Sequence, residues 1–271
     1  MVKRTVTAFA LLAIGMPAIL LGGIPYLLFI GFFVVMSAYE YTQLFRTVGY
    51  QPSIWMTVGG TALILIARSQ FPEWAGAVFA FTVLAAMARH LLAYEQGRDE
   101  AAIDFVITAG GLAYLGWVGG YLIDIRALPD GGWWMFLVLP IVWMADAGAY
   151  ILGAKYGKHK MTPRLSPRKS WEGYWAGVFT GTLFGGFFAW AYNVNTFVGP
   201  LTISIWQGAL LGFVLSVLTT LGDLGESLFK RPAHLKDSGS VIPGHGGAFD
   251  RIDASLWGAV IGYYWIVWFF L

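Results

Sequence analysis

The chain has 271 residues, of which 58% are hydrophobic, 12% are charged and none is cysteine, and its mean hydropathy is +0.65. Charged residues make up about a quarter of an ordinary soluble domain, so this composition excludes a water-soluble globular fold and indicates a membrane protein. The lack of cysteine excludes disulfides and thiolate metal sites, and the four scattered histidines give little support for zinc. No nucleic-acid partner is expected, and the net charge of +2 is less informative than the placement of the charges.

Long apolar segments without an alternating strand pattern predict an all-α integral membrane protein. A spanning helix needs about 20 mostly apolar residues. The first apolar segment, MVKRTVTAFALLAIGMPAILLGG, also resembles a cleaved signal peptide, but its apolar run is long for one and the next span follows immediately. About nine segments qualify, and they run roughly over 5–22, 24–45, 52–68, 74–94, 102–125, 132–154, 171–193, 202–226 and 252–271.

The basic residues predict the orientation of these spans. If the N-terminus is cytoplasmic, all 17 lysines and arginines except Arg68 and Arg126 fall on the cytoplasmic side. This bias agrees with the positive-inside rule, and a miscounted span would scramble it. We therefore expect a cytoplasmic N-terminus, an outside C-terminus and a bacterial inner membrane as the location.

The polar residues divide the chain into two regions. Residues 1–128 are predicted to form an N-terminal transmembrane region of about five spans joined by short connections. Residues 129–271 are predicted to form a catalytic transmembrane region, because they contain two long polar loops, 155–170 and 227–251. Both loops are expected on the cytoplasmic side, so the predicted active site faces the cytoplasm.

Asp146 lies inside the sixth span, where a carboxylate costs about 2.5–3.5 kcal/mol on insertion scales. It should face the protein interior or a wet cavity, as a support of the site or as a substrate contact. The basic loop that follows, KYGKHKMTPRLSPRKSWEG, has the composition of a surface that binds anionic lipid headgroups. Its end offers Ser166, Lys169 and Ser170 as substrate-binding donors, with Glu172 as a supporting residue in the next helical turn.

The cytoplasmic end of the eighth span places Asp223, Glu226, Ser227 and Lys230 on one helical face, at spacings i, i+3, i+4 and i+7. One loop joins this span to the next, so Asp223 and Asp250 are expected at the same membrane level. Carboxylates without sulfur or imidazole partners suit Mg²⁺, which completes its shell with water and phosphate oxygens. The sequence therefore predicts Mg²⁺ and a phosphate-bearing substrate. The alternative is that these acids only form ion pairs with neighbouring cations.

The loop 227–251 ends in the glycine-rich segment PGHGG, which includes His245, Gly246 and Gly247. Glycines let backbone N–H groups approach an anion closely, especially before the N-terminus of a helix. These residues are candidate substrate ligands. Glycine-rich turns are also common in other settings, and His245 suits a role in holding the loop equally well.

The segment SLFKRPAHLKDSGSVIPGHGGAFDRID, Ser227 to Asp253, resembles the signature of the phosphatidate cytidylyltransferases, the membrane CDP-diacylglycerol synthases. The fixed positions S-x-x-K-R, K-D, H-G-G and D-R-x-D are all present at the family's spacing, and only Ala248 replaces a larger apolar residue. The stretch DAGAYILGAKYGKHKMTPRLSPRKSWEG is similar to a second family region, in which Ser170 replaces the usual threonine. The resemblance covers roughly residues 140–270.

The resemblance implies that the protein transfers the cytidylyl group of CTP to phosphatidate among membrane lipids, giving CDP-diacylglycerol and pyrophosphate in phospholipid biosynthesis. It also implies nine spans, with Asp223 and Asp250 as ligands of Mg²⁺ and K⁺ as a second ion. The distribution of the basic residues between the two substrates is left open. Lys230, Arg231, Lys236 and Arg251 would hold phosphates, and of these Lys230 and Arg251 are predicted to be catalytic together with Asp223 and Asp250. The remaining predicted roles are substrate contact by Ser227 and support by Glu226, Asp237 and Asp253.

Two other functions remain as alternatives. A related CTP-dependent polyprenol or phytol kinase would transfer the γ-phosphate to an alcohol. A transporter for an anionic metabolite would place polar residues near the membrane midplane and often shows inverted repeats, whereas here the polar residues concentrate at one face. The paired-aspartate motif of the CDP-alcohol phosphotransferases is absent from the sequence. A homodimer is left open.

Overall fold

The computed structural model describes residues 2–194, 201–241 and 246–271, which form helices and one short hairpin. Strands β1 (Lys160–Thr162) and β2 (Ser166–Ser170) pair antiparallel. A π-helical turn, Trp55–Gly59, leads into α3, a 3-10 turn, Pro72–Trp74, leads into α4, and a π-helical segment, Leu112–Val118, extends α5. The α-helices in these ranges are α1 (Val2–Leu21), α2 (Gly23–Thr47), α3 (Gly60–Gln70), α4 (Ala75–Glu95), α5 (Ala101–Gly111), α6 (Tyr121–Ala127), α7 (Gly131–Tyr156), α8 (Trp171–Val194), α9 (Ile205–Lys230) and α10 (Phe249–Phe269).

The prediction of an all-α integral membrane protein is confirmed, apart from the hairpin, which the sequence did not predict. A helical segment lies at each predicted span, but the count of nine spans and their orientation stay predictions. Six helical segments of the described residues are long and apolar enough to cross a membrane, namely Gly23–Thr47, Pro72–Glu95, Ala101–Ala127, Gly131–Tyr156, Ile205–Lys230 and Phe249–Phe269.

The chain divides into two compact units. Unit 1 consists of Met1–Asp124 and Leu228–Ile252, and unit 2 consists of Ile125–Ser227 and Asp253–Leu271. The first break, between Asp124 and Ile125, lies close to residue 128, where the predicted N-terminal region ends. Packing nevertheless groups Leu228–Ile252, which carries most of the signature, with the N-terminal helices. The end of α9 and the start of α10 thus belong to unit 1.

Aromatic side chains hold the signature segment within unit 1. The ring of Phe229 stacks on that of Phe249 with a centroid distance of 6.1 Å, and it meets Tyr41 of α2 edge to face at 5.2 Å. Edge-to-face and offset arrangements are favourable for aromatic pairs and add to the burial of the rings. Because Phe229 precedes Lys230 and Phe249 precedes Asp250, this packing fixes the backbone on both sides of the candidate site.

A second polar contact in unit 1 lies away from the signature. Arg68 of α3 is only 7% exposed, and its guanidinium lies 2.5 Å from a carboxylate oxygen of Asp124. The guanidinium carbon also lies 4.0 Å from the ring centroid of Trp117, a cation–π arrangement that partly compensates for the lost hydration. This pair joins α3 to α6 and explains how an arginine is accommodated inside the unit.

Close helix packing organises unit 2. A Cβ atom on Gly177 would lie 2.8 Å from the carbonyl oxygen of Ala145, and one on Gly173 would lie 2.9 Å from that of Ala149. Small residues let membrane helices approach closely enough for extensive van der Waals contact. The packing of α7 against α8 therefore depends on glycine, and it fixes the side of α7 that carries Asp146. The glycine row of α8 contains Gly173, Gly177, Gly181 and Gly185.

Candidate active site

Several hydrogen-bond donors of unit 1 hold the carboxylate of Asp250, at the start of α10. Its Oδ1 accepts a bond of 2.7 Å from Lys230 Nζ. Its Oδ2 accepts bonds from the backbone N–H and the hydroxyl of Ser238, at 2.9 and 3.0 Å, and from the N–H of Gly247 at 2.9 Å. The side chains of Lys230 and Asp250 are 8% and 10% exposed. A carboxylate bound by this many donors has little freedom to rotate.

Glu40 of α2 belongs to the same group of contacts, although the sequence analysis did not select it. It is 3% exposed and accepts hydrogen bonds from the Ser238 hydroxyl at 2.7 Å and from the backbone N–H groups of Ala248 and Phe249, both at 3.0 Å. N–H groups at a helix N-terminus have no partner in the helix, and a carboxylate satisfies them well. We call Glu40, Lys230, Ser238, Gly247 and Asp250 the α10 anchor.

A signal for Glu40 was present in the sequence. It stands in the apolar stretch SAYEYTQL of the second span, where a charged side chain is costly unless it faces a polar partner. The same reasoning selected Asp146. It was not applied to Glu40, because no motif surrounds that residue and its partners lie about 200 positions away in the chain.

The two glycines before α10 are explained by conformation and by space. Gly246 has a φ of +80°, in the left-handed region that favours glycine. At Gly247 a Cβ atom would collide with Ser238 and with the carboxylate of Glu40. The N–H of Gly247 donates to Asp250, so this amide has a partner within the protein. Substrate binding by Gly246 and Gly247 stays a prediction, and His245 lies outside the described residues.

Unit 2 contains a second group of charged residues, which we call the aspartate cluster: Asp146, Asp223 and Asp253, with Lys169. The ammonium group of Lys169, on β2, pairs with Asp223 Oδ2, and the two side chains are 26% and 25% exposed. Asp146 of α7 lies within electrostatic range of both. Asp253 of α10 lies within electrostatic range of Asp223, of Asp146 and of Glu226. Three helices and one strand therefore converge on this cluster.

Gly222 allows α10 to approach α9 inside unit 2. A Cβ atom at this position would lie 2.9 Å from Ala254 Cα. Because Asp223 follows Gly222 and Asp253 precedes Ala254, the close approach brings the two aspartates together. Three carboxyl groups are accompanied by one lysine ammonium in the described part of the chain, so Lys169 can pair with only one of them at a time. Buried like charges are unfavourable unless a cation or a proton neutralises them.

The hairpin and the start of α8 have local roles. The Ser170 hydroxyl accepts a bond of 3.2 Å from the N–H of Gly173, so Ser170 caps the N-terminus of α8, and it is only 4% exposed. Glu172 accepts bonds from the backbone N–H of Lys158 at 3.1 Å and from His159 Nδ1 at 2.5 Å. Ser166 pairs with Thr162 across the hairpin and is half-buried. Substrate contact by Ser166, Lys169 and Ser170 stays a prediction.

The structure therefore distributes the predicted site residues between the two units. Glu226, Ser227 and Lys230 are buried. The exposed residues of the signature include Arg231, Lys236, Asp237 and Arg251. Within the described ranges, no three acidic or histidine residues are close enough to hold a metal ion by themselves. Unit 1 carries Lys230, Arg231, Lys236, Asp237, Gly246, Gly247, Asp250 and Arg251, and unit 2 carries Asp146, Ser166, Lys169, Ser170, Glu172, Asp223, Glu226, Ser227 and Asp253.

Comparison with known proteins assigns the chain to a family. Residues 2–269 match the profile of the cytidylyltransferase family, so the match includes both units and nearly the whole chain. The chain belongs to the cytidylyltransferase family. The recognition from the signature residues is thereby confirmed, and membership extends to the N-terminal region, which the signature does not cover.

Curated members of the cytidylyltransferase family are similar to this chain over most of their length. The phosphatidate cytidylyltransferase of Synechocystis sp. is 30% identical, with 98% of this chain and 96% of the relative aligned. The phosphatidate cytidylyltransferase of Pseudomonas aeruginosa is 34% identical, over 93% of this chain and 92% of the relative. That of Staphylococcus haemolyticus is 32% identical, over 93% of both chains.

Proposed function

We propose that this protein transfers the cytidylyl group of CTP to phosphatidate and forms CDP-diacylglycerol and pyrophosphate. The observation that carries the proposal is the alignment with relatives of that name at 30–34% identity over more than nine-tenths of each chain. These relatives are bacterial, which supports an inner-membrane location. The basic residues near the polar loops support an active site that faces the cytoplasm.

The reaction needs no nucleophile from the protein. A phosphatidate oxygen attacks the α-phosphorus of CTP, the new P–O bond forms, and the bond from the α-phosphorus to the bridging oxygen breaks as pyrophosphate leaves. The substrate phosphate is already ionised near neutral pH. The protein must therefore align the two phosphates and neutralise the charge that develops on the leaving group. The exposed side chains of Arg231, Lys236 and Arg251 are the proposed phosphate contacts.

The aspartate cluster is chemically suited to a divalent cation. Its carboxyl oxygens are the ligands that Mg²⁺ prefers, and its three aspartates share one lysine, so a bound cation would stabilise their ionised forms. Because the described residues hold no complete ligand set, water and phosphate oxygens would complete the shell. Mg²⁺ would supply charge neutralisation for the triphosphate. Asp223 and Asp250 stay the predicted ligands, and K⁺ as a second ion and a homodimer stay predictions.

The relatives' names favour cytidylyl transfer over the alternatives. A lipid kinase would move the γ-phosphate of CTP to an alcohol, and a transporter would release no product. Neither activity appears in the names of the relatives. CTP labelled at the α- or the γ-phosphate distinguishes the two enzymatic reactions, because cytidylyl transfer puts the α-label and a kinase puts the γ-label into the lipid.

The test uses the purified full chain in detergent with phosphatidate, Mg²⁺ and CTP that is labelled at the α- or the γ-phosphate. We expect α-label in the lipid and γ-label in pyrophosphate. Chelation by EDTA should lower the rate at least about a hundredfold, since several kcal/mol of charge stabilisation are lost at about 1.4 kcal/mol per tenfold. Added Mg²⁺ should restore it. Label from the γ-phosphate in the lipid would establish a kinase, and a folded protein that forms neither product would reject the proposal.

A further inference from the structure

Glu40 is a buried carboxylate, and among the described residues its hydrogen bonds all lead to the signature segment. Its Oε1 accepts from the N–H of Ala248, and its Oε2 accepts from the N–H of Phe249 and from the Ser238 hydroxyl, at 2.7–3.0 Å. Glu40 lies on α2, far from the signature in the chain. The N-terminal region thus contacts the two backbone amides that begin α10 and the serine that binds Asp250.

Ser238 connects Glu40 directly to Asp250. Its hydroxyl oxygen lies 2.7 Å from Glu40 Oε2 and 3.0 Å from Asp250 Oδ2. A serine hydroxyl carries one hydrogen, so it donates to one of these carboxylates at a time. The backbone N–H of Ser238 stays on Asp250 at 2.9 Å. A displacement of Glu40 therefore changes both the donor set of Asp250 and the backbone position from which Asp250 projects.

The neighbouring glycines show that the segment is shaped around the Glu40 carboxylate. A Cβ atom on Gly239 or on Gly247 would lie 2.7 Å from Glu40 Cδ, which is closer than real Cβ atoms approach other heavy atoms. Glycine at these two positions thus lets the backbone at each position lie against the carboxylate. Gly247 belongs to the predicted site, whereas Gly239 had no assigned role.

We propose that Glu40 is a positioning residue for Asp250 in cytidylyl transfer. It fixes the first turn of α10 through the amides of Ala248 and Phe249, and it fixes Ser238 through the hydroxyl. The orientation of the Asp250 carboxylate follows from both contacts. This assignment rests on the proposed function, because Asp250 is expected to act in that reaction. It gives the N-terminal region a part in the active site.

The main test compares Glu40→Gln with Glu95→Gln in the full chain. Glutamine keeps the shape of glutamate, but its NH₂ group is a hydrogen-bond donor and cannot accept a bond. At least one of the three donors to Glu40 therefore loses its acceptor. Glu95 is an exposed glutamate at the end of α4, so its substitution is a matched control. We expect kcat of Glu40→Gln to fall at least about tenfold, which is the size of effect typical of residues that orient a ligand-bearing group. Each KM should change less than about threefold, because Glu40 is not expected to contact either substrate. Glu95→Gln should match the wild type.

Hydrogen exchange supplies a readout that does not depend on activity. Measured by mass spectrometry without metal or substrate, exchange in peptides that contain Ala248 and Phe249 should be faster in Glu40→Gln than in the wild type and in Glu95→Gln. Faster exchange with an unchanged kcat would show a purely structural contact and would overturn the proposal. Unchanged exchange would also overturn it, because the first turn of α10 would then not depend on Glu40.

Ser238→Ala is the second variant, and it also covers the case in which Glu40→Gln fails to fold. It removes the shared hydroxyl but keeps the backbone bond to Asp250. We expect a lower kcat with little change in KM, and in a double-mutant cycle the two substitutions should be less than additive because they act through one contact. A wild-type kcat for Ser238→Ala, or full additivity, contradicts the connection. If the wild-type protein forms no liponucleotide, the proposed function fails, and the exchange result still shows whether Glu40 holds α10.

Discussion

The two units surround their key carboxylates in opposite ways. In unit 1 the oxygens of Asp250 accept bonds from a lysine, a hydroxyl and two backbone amides, and the pair formed with Lys230 is about nine-tenths buried. In unit 2 Asp223 has Lys169 as its ion-pair partner, is one-quarter exposed and lies among other acids. The first carboxylate is surrounded by donors, whereas the second pairs with one lysine and has two other aspartates within electrostatic range.

This difference indicates what each region requires. The α10 anchor satisfies Asp250 with groups of the protein itself, so its geometry is fixed before any ligand arrives. The aspartate cluster has more carboxyl groups than Lys169 can pair, so a cation from solution would stabilise their ionised forms. Preorganised groups and a charge-compensating ion are complementary requirements for a reaction between two phosphates. The same substitution, aspartate to asparagine, should therefore change stability differently at Asp250 and at Asp223.

The largest expected effect is that of Asp250→Asn. It should lower the rate of CDP-diacylglycerol formation at least about a hundredfold, which corresponds to about 2.7 kcal/mol of transition-state stabilisation. It should also lower the thermal midpoint in detergent, because Lys230 stays buried without its carboxylate, a loss of about 3 kcal/mol in similar pairs. Asp99→Asn, in the exposed loop before α5, is the control. An active Asp250→Asn protein would remove Asp250 from the reaction.

Asp223→Asn should reduce activity to a similar extent but should not reduce stability. Removal of one charge from the aspartate cluster relieves repulsion with Asp146 and Asp253. This offsets the loss of the partly exposed pair with Lys169, which is worth at most about 1 kcal/mol, so the midpoint should stay nearly the same or rise. The rate is measured with Mg²⁺ as for Asp250→Asn, and the thermal midpoint is measured in detergent without added divalent cation. A clear fall of the midpoint, like that expected for Asp250→Asn, would mean that the two environments do not differ as described.

The sequence selected the aspartates of both regions as candidate site residues, whereas it did not predict the arrangement of their partners. Spacing on one helix selected Asp223, and the single loop between the two spans placed Asp250 at the same level, which the family signature then supported. The N-terminal contribution from Glu40 was missed because its hydrogen bonds depend on tertiary packing between helices that are distant in the chain. The apolar context of Glu40 was a usable signal, since a lone acid in a predicted span needs a buried partner.

The helical segments were predicted well because long apolar runs leave few alternatives in a membrane. The hairpin 160–170 was not predicted, since its strands are short and polar and their pairing depends on the turn between them. Capping also escaped prediction. Ser170 was selected as a substrate contact for its hydroxyl, and the structure shows that the same hydroxyl caps α8, a role that the motif S-W-E-G before a helix could have indicated.

The smallest expected effect comes from Lys169→Gln, which tests the charge balance of the aspartate cluster. Because the pair with Asp223 is about one-quarter exposed, loss of the ammonium group should cost only about 1 kcal/mol and lower the midpoint slightly. Lys169→Arg keeps the charge and serves as the matched control. Added Mg²⁺ should raise the midpoint of Lys169→Gln more than that of Lys169→Arg, since the uncompensated cluster binds a cation more strongly.

A double-mutant cycle completes this test. If Lys169 acts mainly by compensating Asp223, the variant Lys169→Gln with Asp223→Asn should regain the midpoint that Lys169→Gln loses, because ammonium and carboxylate are removed together. Equal responses of Lys169→Gln and Lys169→Arg to Mg²⁺, together with additive effects in the cycle, would show that no charge excess exists at this cluster. The contrast between the two regions would then rest on burial alone.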